Sequence, residues 1–401
     1  MTTPTITALP TPPSTGDSAN FATQADAFIA ALPTFRTEAN VLAAYIDGLL
    51  AGAASVGDAT TLLGANWSAA RPFAKADPTT VAFVKTGAFT ISTHGAALKI
   101  EVNGALKTIN ASTAVTMPGS PAAGTDYAIW AKTDGSLEAT SDHVTPPTAN
   151  ARRIGGFHYA PGGNATGVAG GDGTPAINAY SIWDLKFRPA CPDPRGMTLV
   201  ADGFWANIYL LGVNHPTNGS SKYNVTIADG SSPPKIPAKF GGNGSTAYAG
   251  GNWWDLAEVL RSFGKRHPTY DEFAALAYGV LENYSVNADP VNTGLVNGSG
   301  SGAGIDTTAY KYTSKWGVIQ ATGTMYTWGA NLGGPYNTTA AWQNDTGGRG
   351  QTYNLPNAVL LGAYWGNGVN SGSRYSSWNN APSDSVSSIG ARGVCDHLQL
   401  D

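Results

Sequence analysis

Three observations predict an α+β fold dominated by β-structure. Charged residues fill only 12% of the 401 positions, about half the usual share, while Gly (50), Tyr (17) and Trp (11) are plentiful. Hydrophobic residues alternate with a period of two through the middle of the chain. Helical spacing is confined to the N-terminal end and to a stretch near residue 260. The order of elements is therefore short N-terminal helices, a β-sandwich and a C-terminal mixed domain, in a chain long enough for two or three cores.

Residues 1–15 form a Pro/Thr tail, expected to be extended. Residues 16–70 are expected to form a helical segment for attachment or trimerisation. Asp17-Ser18 opens a first helix carrying Phe21, Ala25, Phe28, Ile29 and Leu32, which Pro33 is expected to end. A second helix runs from Thr37 with Leu42, Tyr45, Ile46, Leu49 and Leu50 on one face. Two short amphipathic helices cannot bury such faces alone, so they pack on each other, on further copies or on a larger particle.

Residues 71–170 carry KIEVNGALKTI and YAIWAKTDGSLEAT, hairpins turning at Asn103-Gly104 and Asp134-Gly135, and the strand RRIGGFHYAP. Regular short strands of this kind predict a β-sandwich, read here as a spacer without a ligand. GGNATGVAGGDGTP marks a boundary near residue 170, and residues 171–401 form the last domain. Within it, Leu256, Val259, Leu260 and Phe263 line one face of a helix that stops at Gly264. Thr269 and Glu272 form a capping box opening a second helix, with Phe273, Leu276 and Ala277 turned inward. The loop VNTGLVNGSGSGAGIDTTA lacks a hydrophobic pattern and reads as a flexible insertion or a segment ordered by a neighbouring subunit.

Composition excludes several functions. A net charge of −4 without basic clusters excludes nucleic acid as partner. No run reaches the roughly 18 apolar residues of a membrane span, so no insertion is expected. MTTPTITALPTPPSTG has neither a basic n-region nor an apolar h-region, so release without a secretory signal is expected. The six His are scattered without H-x-H or H-E-x-x-H spacing, and neither a cofactor nor a metal is expected. Cys191 and Cys395 are too few for a disulfide framework and read as free thiols. Asn218-Gly219-Ser220 and Asn224-Val225-Thr226 match glycosylation acceptors but read as turns.

The richest stretch is Gly362–Leu398. Trp365, Ser371-Gly372-Ser373-Arg374, Trp378, Pro382, Gly390 and Ala391-Arg392-Gly393 read as framework, with the two Trp as buried anchors. Arg374 and Arg392 are expected to donate to loop carbonyls. Between them lie Tyr364, Gly366, Asn367, Gly368, Asn370, Ser377, Asn379, Asn380, Asp384, Val386, Ser388 and Ile389. Each is reachable from the Asn codon AAC by changing only adenines, and no Lys, Glu, Gln, Met or Trp occurs among them. Tyr, Asn, Ser and Asp are also the residues that antibody loops use for adaptable contact.

This interleaving resembles the variable region of the major tropism determinant family, phage receptor-binding proteins diversified by a retroelement that mutates template adenines. The likeness continues through AGTDYAIWAKTDG, ARRIGGFHYAPGG, SIWDLKFRPACPDPRGMTLV, GFWANIYLLGVNH and SKYNVTIADGS. It covers roughly residues 72–401. The resemblance implies a C-type lectin fold at the C-terminus, in its formylglycine-generating-enzyme-like variant, with residues 362–393 as variable region. It implies a non-enzymatic homotrimer on the virion that binds a bacterial surface receptor, protein or polysaccharide. SANFATQADAFIAALPTFRTEANVLA resembles N-terminal stretches of phage tail fibres, which implies attachment to other tail proteins, the chain being made in the host cytoplasm.

Two alternatives share the fold. GKRHPTYDEF is similar to formylglycine-generating oxidases, but their chemistry needs paired thiolates, and Cys191 and Cys395 lie at opposite ends of the domain sequence. Lys265 and Arg266 there read as cations packed after a helix C-terminus. Calcium lectins need clustered carboxylates, which Trp342-Gln343-Asn344-Asp345 and Trp378-Asn379-Asn380 only echo.

Overall fold

In the computed structural model the residues described are 6–52, 72–334, 342–343, 349, 352–353 and 356–398; side chains of 44–52 are not included. Residues 53–70 of the predicted attachment segment and Asn344-Asp345 lie outside them.

At the N-terminal end the two expected helices are one, Phe21–Gly52, with Pro33 inside it. Proline removes one i→i−4 bond and crowds the preceding turn, but it does not end a helix whose other bonds persist. The Thr37 hydroxyl donates to the Pro33 carbonyl at 2.9 Å. Among the described side chains, Phe21, Ile29, Leu32, Phe35 and Val41 are exposed.

The middle of the chain is β-structure. Strands Ala176–Ile177, Arg152–Ala160, Thr125–Ala131, Leu137–Thr140 and Val115–Thr116 lie side by side, and Trp183–Asp184 also pairs with Arg152–Ala160. The hairpin Phe83–Gly87/Thr90–Thr93 packs on that sheet, for a Cβ at Gly155 would meet the Phe83 ring at 2.8 Å. Both hairpin turns fall where the dipeptides place them. Asn103 (φ 53°) and Gly104 (φ 76°) are both left-handed, as a type I′ turn requires. At the other turn only Gly135 is left-handed, and Asp134 accepts from the Ser136 N–H at 2.8 Å.

In the C-terminal domain, Met197–Val200, Phe204–Asn207 and Val394–Asp396 form an antiparallel sheet that ties the start of the domain to its end. A second sheet runs Ser376–Asn380, Asn357–Leu361, Tyr326–Gly333, Ile389–Gly390, the last pair parallel. Helices Trp253–Ser262 and Tyr270–Leu276 bury Leu256, Val259, Leu260, Phe273 and Leu276. Gly264 is left-handed (φ 72°), and the Thr269–Glu272 capping box is present.

Lys265 and Arg266 do more than sit near a helix end. The buried Lys265 ammonium donates to Asn207 Oδ1 (2.7 Å) and Ser220 Oγ (2.8 Å), while Arg266 grips Glu272 with both terminal nitrogens (2.7 and 2.8 Å). The loop after Val291 is pinned rather than free at its ends. Thr293 exchanges backbone bonds with Asn224 and Val225, and Asp306 donates to the Ser285 carbonyl.

Cys191 and Cys395, remote in sequence, are neighbours in space. Pro189 bridges His397 antiparallel, and the same register sets Cys191 opposite Cys395. Their thiols hydrogen-bond, which lowers the Cys191 pKa and raises that of Cys395. Both are buried among Met197, Leu199, Trp183 and Trp205. Among the described residues no group of three His, Cys, Asp or Glu could hold a metal ion.

Candidate functional site

Residues 362–393 leave the core, cross the surface and return. Asn357–Leu361 is buried throughout. The chain then turns outward through Gly362 (φ 85°) and Ala363 (φ 70°). A side chain at Gly362 would meet the Phe273 ring at 2.6 Å, so close packing as well as φ requires glycine.

The first part of the segment is held by residues far from it in sequence. Ser285 Oγ accepts from the Gly368 N–H (3.0 Å) and donates to the Trp365 carbonyl (2.9 Å). The Glu282 carboxylate accepts from the Ser373 N–H (3.0 Å) and hydroxyl (2.7 Å). Gly304, in the loop read as an insertion, sits against Gly368 and Val369 so closely that a Cβ would meet the Val369 nitrogen. Sequence reasoning missed all three, since none lies near residues 362–393 or carries a local motif.

The second part is held by strand pairing, by two distant donors and by one turn of its own. Ser376–Asn380 pairs with Asn357–Leu361. Asn357 Nδ2 donates to the Trp378 carbonyl at 2.8 Å, and the Trp253 N–H donates to the Pro382 carbonyl at 3.0 Å. Asp384 accepts from Asn380 Nδ2 (3.0 Å) and the Ala381 N–H (3.1 Å), closing the turn between them. The return is locked by Arg392, wholly buried, which donates to the carbonyls of Asn207, Ile208, Ile319 and Gln320 at 2.7–3.2 Å. Burial pushes its pKa down to about 9, which still leaves it charged at neutral pH.

Of the sequence-predicted site residues, Gly366, Asn370, Asn379 and Val386 are exposed, while Tyr364, Asn367, Gly368, Ser377, Asn380, Asp384 and Ser388 are half-buried. Ile389 is not on the surface. At 1% exposure it pairs with Tyr326 and packs in the core beside Trp328 and Leu360. Codon composition reports what a position can become, whereas the parallel pairing decides which way its side chain points.

Two framework expectations also need correcting, while Arg374, expected to donate to loop carbonyls, is exposed. Trp365 and Trp378 are half-buried, packed from outside on Leu210, Ile227 and Met325 and on a cluster that includes Phe273 and Val359. Asn367 also has a framework duty, its Oδ1 accepting from the Tyr364 N–H at 2.9 Å.

The surface has an aromatic ridge. Tyr364 stacks on Tyr326 (centroids 4.9 Å apart), Tyr326 on Tyr375 (5.8 Å), and Trp365 tilts against Tyr364 (5.1 Å). Burial, then the Tyr375 hydroxyl at 3.1 Å, pushes the Tyr326 pKa up to about 12, so the phenol stays neutral. Around the ridge lie amides, hydroxyls, glycines and the apolar Val369 and Val386. Such a surface can adsorb a partner through many weak, adaptable contacts.

Comparison with known proteins gives a consistent result. Residues 81–184 match the family model of the Mtd second domain. The chain is 52% identical over 333 residues to the tail fiber receptor-binding protein of Bordetella phage BPP-1, covering 82% of this chain and 85% of that protein. Its structure is similar to the M1 and P3c variants of the major tropism determinant, each with TM-score 0.78 and 52% identity, over 82% of this chain and 87% of theirs. The U1 variant matches at 53% identity with the same TM-score, over 82% of this chain and 86% of that one.

Proposed function

The chain belongs to the major tropism determinant family, and from that premise we propose that residues 364–388 are the surface by which it binds its receptor. It is a phage tail-fibre receptor-binding protein that determines host tropism, and its place is the virion. The contact residues are Tyr364, Gly366, Asn367, Gly368, Asn370, Ser377, Asn379, Asn380, Asp384, Val386 and Ser388. Ile389 is left out because its side chain is in the core.

One observation carries the reading. Most of the backbone bearing these residues is held by groups that are not among them, Ser285, Glu282, Asn357, Trp253 and Arg392, while Asn367 and Asp384 are contact residues that also brace it. The other side chains can therefore change without unfolding the surface that presents them.

The partner is a bacterial surface molecule, protein or polysaccharide. The chain acts as a homotrimer, residues 16–70 serve attachment to other tail proteins or trimerisation, residues 71–170 are a spacer and residues 171–401 display the variable surface. Most of the contact residues are small and polar, with Tyr364 the one aromatic among them, so one tip binds at roughly micromolar Kd, and three together gain a factor of roughly 10²–10⁴. The test is adsorption of purified protein to host cells. Replacing Asn370, Ser377, Asn379 and Val386 together by Ala is expected to abolish adsorption without lowering the Tm; undiminished adsorption would refute the assignment.

A further inference from the structure

Because the N-terminal helix runs unbroken through Pro33, its two halves share one phase. Phe21, Ala25, Phe28, Leu32, Phe35, Ala39 and Leu42 then follow one another at alternating steps of four and three, and every one is apolar. The sequence continues the rhythm at Ile46 and Leu49. Spacing that averages 3.5 residues keeps a seam facing a partner that winds with it, whereas a helix packed on a globular core needs only 3.6. Pro33 falls immediately after a seam position, on the outward side, where its ring does not enter the seam. Phe21 (40%), Leu32 (42%) and Phe35 (36%) remain uncovered.

We infer that this helix is a parallel, in-register three-stranded coiled coil formed with two further copies of the chain, an inference that rests on the homotrimer reading above. The occupant is identified by the repeat itself, because a seam of this period is complementary to its own copy. Charge favours the parallel arrangement. The flanking pairs that face each other are Ala31 with Arg36 and Glu38 with Ala43, so no like charges meet. An antiparallel pairing over the same length crosses near Phe35 and brings two Arg36 side chains to one flank. The helix is about 48 Å long at 1.5 Å per residue, enough for more than four heptads. Single helices with apolar seams are marginal in water, and association is what stabilises them.

Light scattering on the full chain tests the trimer, and cysteine scanning tests the seam. Under mild oxidation Ala39→Cys is expected to form interchain disulfides at least about tenfold faster than Thr37→Cys, which points outward, because in-register seam positions are held at high effective concentration. Leu32→Glu combined with Phe35→Glu is expected to lose the helical circular dichroism of this segment while the C-terminal domain melts as before. A monomeric wild-type chain would overturn both the trimer and the coiled coil. A trimer in which Ala39→Cys cross-links no faster than Thr37→Cys, or in which the double variant keeps its helicity, would overturn the coiled coil alone.

Discussion

The N-terminal helix and the segment 362–393 both leave side chains uncovered, in opposite ways. The helix exposes large apolar residues at a fixed period on a backbone that satisfies its own hydrogen bonds. The segment exposes small polar residues at irregular intervals on a backbone held by Ser285 and Glu282 from elsewhere in the domain and anchored at its end by its own Arg392. A periodic surface selects a partner of the same period, while an aperiodic one has no preferred shape. Substitution should therefore be costly in the first, and in the second only at the groups that hold the backbone.

That distinction is broken most severely at Arg392. Arg392→Ala removes four hydrogen bonds to buried carbonyls, of which Ile208 keeps the Ile319 N–H and Gln320 the Thr324 hydroxyl, and stability is expected to fall by about 4 kcal/mol. Urea denaturation followed by Trp fluorescence measures it; a loss below about 1 kcal/mol would show that water replaces the guanidinium.

Acid should act next, on the scaffold alone. His267 is fully buried, and desolvation first of all holds its pKa down to about 4. An unfolded His takes up its proton near pH 6.5, so between about 6.5 and 4 the unfolded chain binds more protons. Stability is then full above pH 6.5 and lost as the pH falls towards 4, by about 3 kcal/mol for this residue. His143 and His215 are shifted the same way, also chiefly by burial. A Tm unchanged between pH 7 and 4.5 would contradict this, and His267→Gln should flatten the slope.

Smaller effects separate the two supports of the segment itself. Trp365→Ala is expected to cost about 2 kcal/mol, less than the roughly 3–5 of a fully buried indole, because Trp365 is only half-buried. Glu282→Ala should cost about 1 kcal/mol yet weaken receptor binding, since it frees Ser373. Normal binding by that variant would mean the loop is held without the carboxylate.

Legibility in the sequence followed the range of the interaction. Turns and caps depend on residues two to four apart, and Asn103-Gly104, Gly264 and the Thr269–Glu272 box were all readable. The surface positions were legible through codon chemistry and framework spacing, except Ile389, whose direction is set by pairing with Tyr326. Glu282, Ser285, Gly304, Tyr326 and Tyr375 were not legible as parts of the site, because only the folded chain brings their side chains to it. Pro33 misled in the other direction, a strong local rule outweighed by the helix on either side.

The smallest stability change is the sharpest test of the comparison. Asn379 is exposed and accepts from the nearby Ser377 hydroxyl, so Asn379→Ala should move stability by less than about 0.5 kcal/mol. Tyr364 stacks between Tyr326 and Trp365, so Tyr364→Ala should cost about 1 kcal/mol. Both should reduce adsorption to host cells, by about tenfold if each loses some 1.4 kcal/mol of contact at a single tip. Thermal melts alongside adsorption assays separate the cases. If Asn379→Ala destabilises as much as Trp365→Ala, the residue belongs to the framework; if neither variant alters adsorption, the receptor lies on another face.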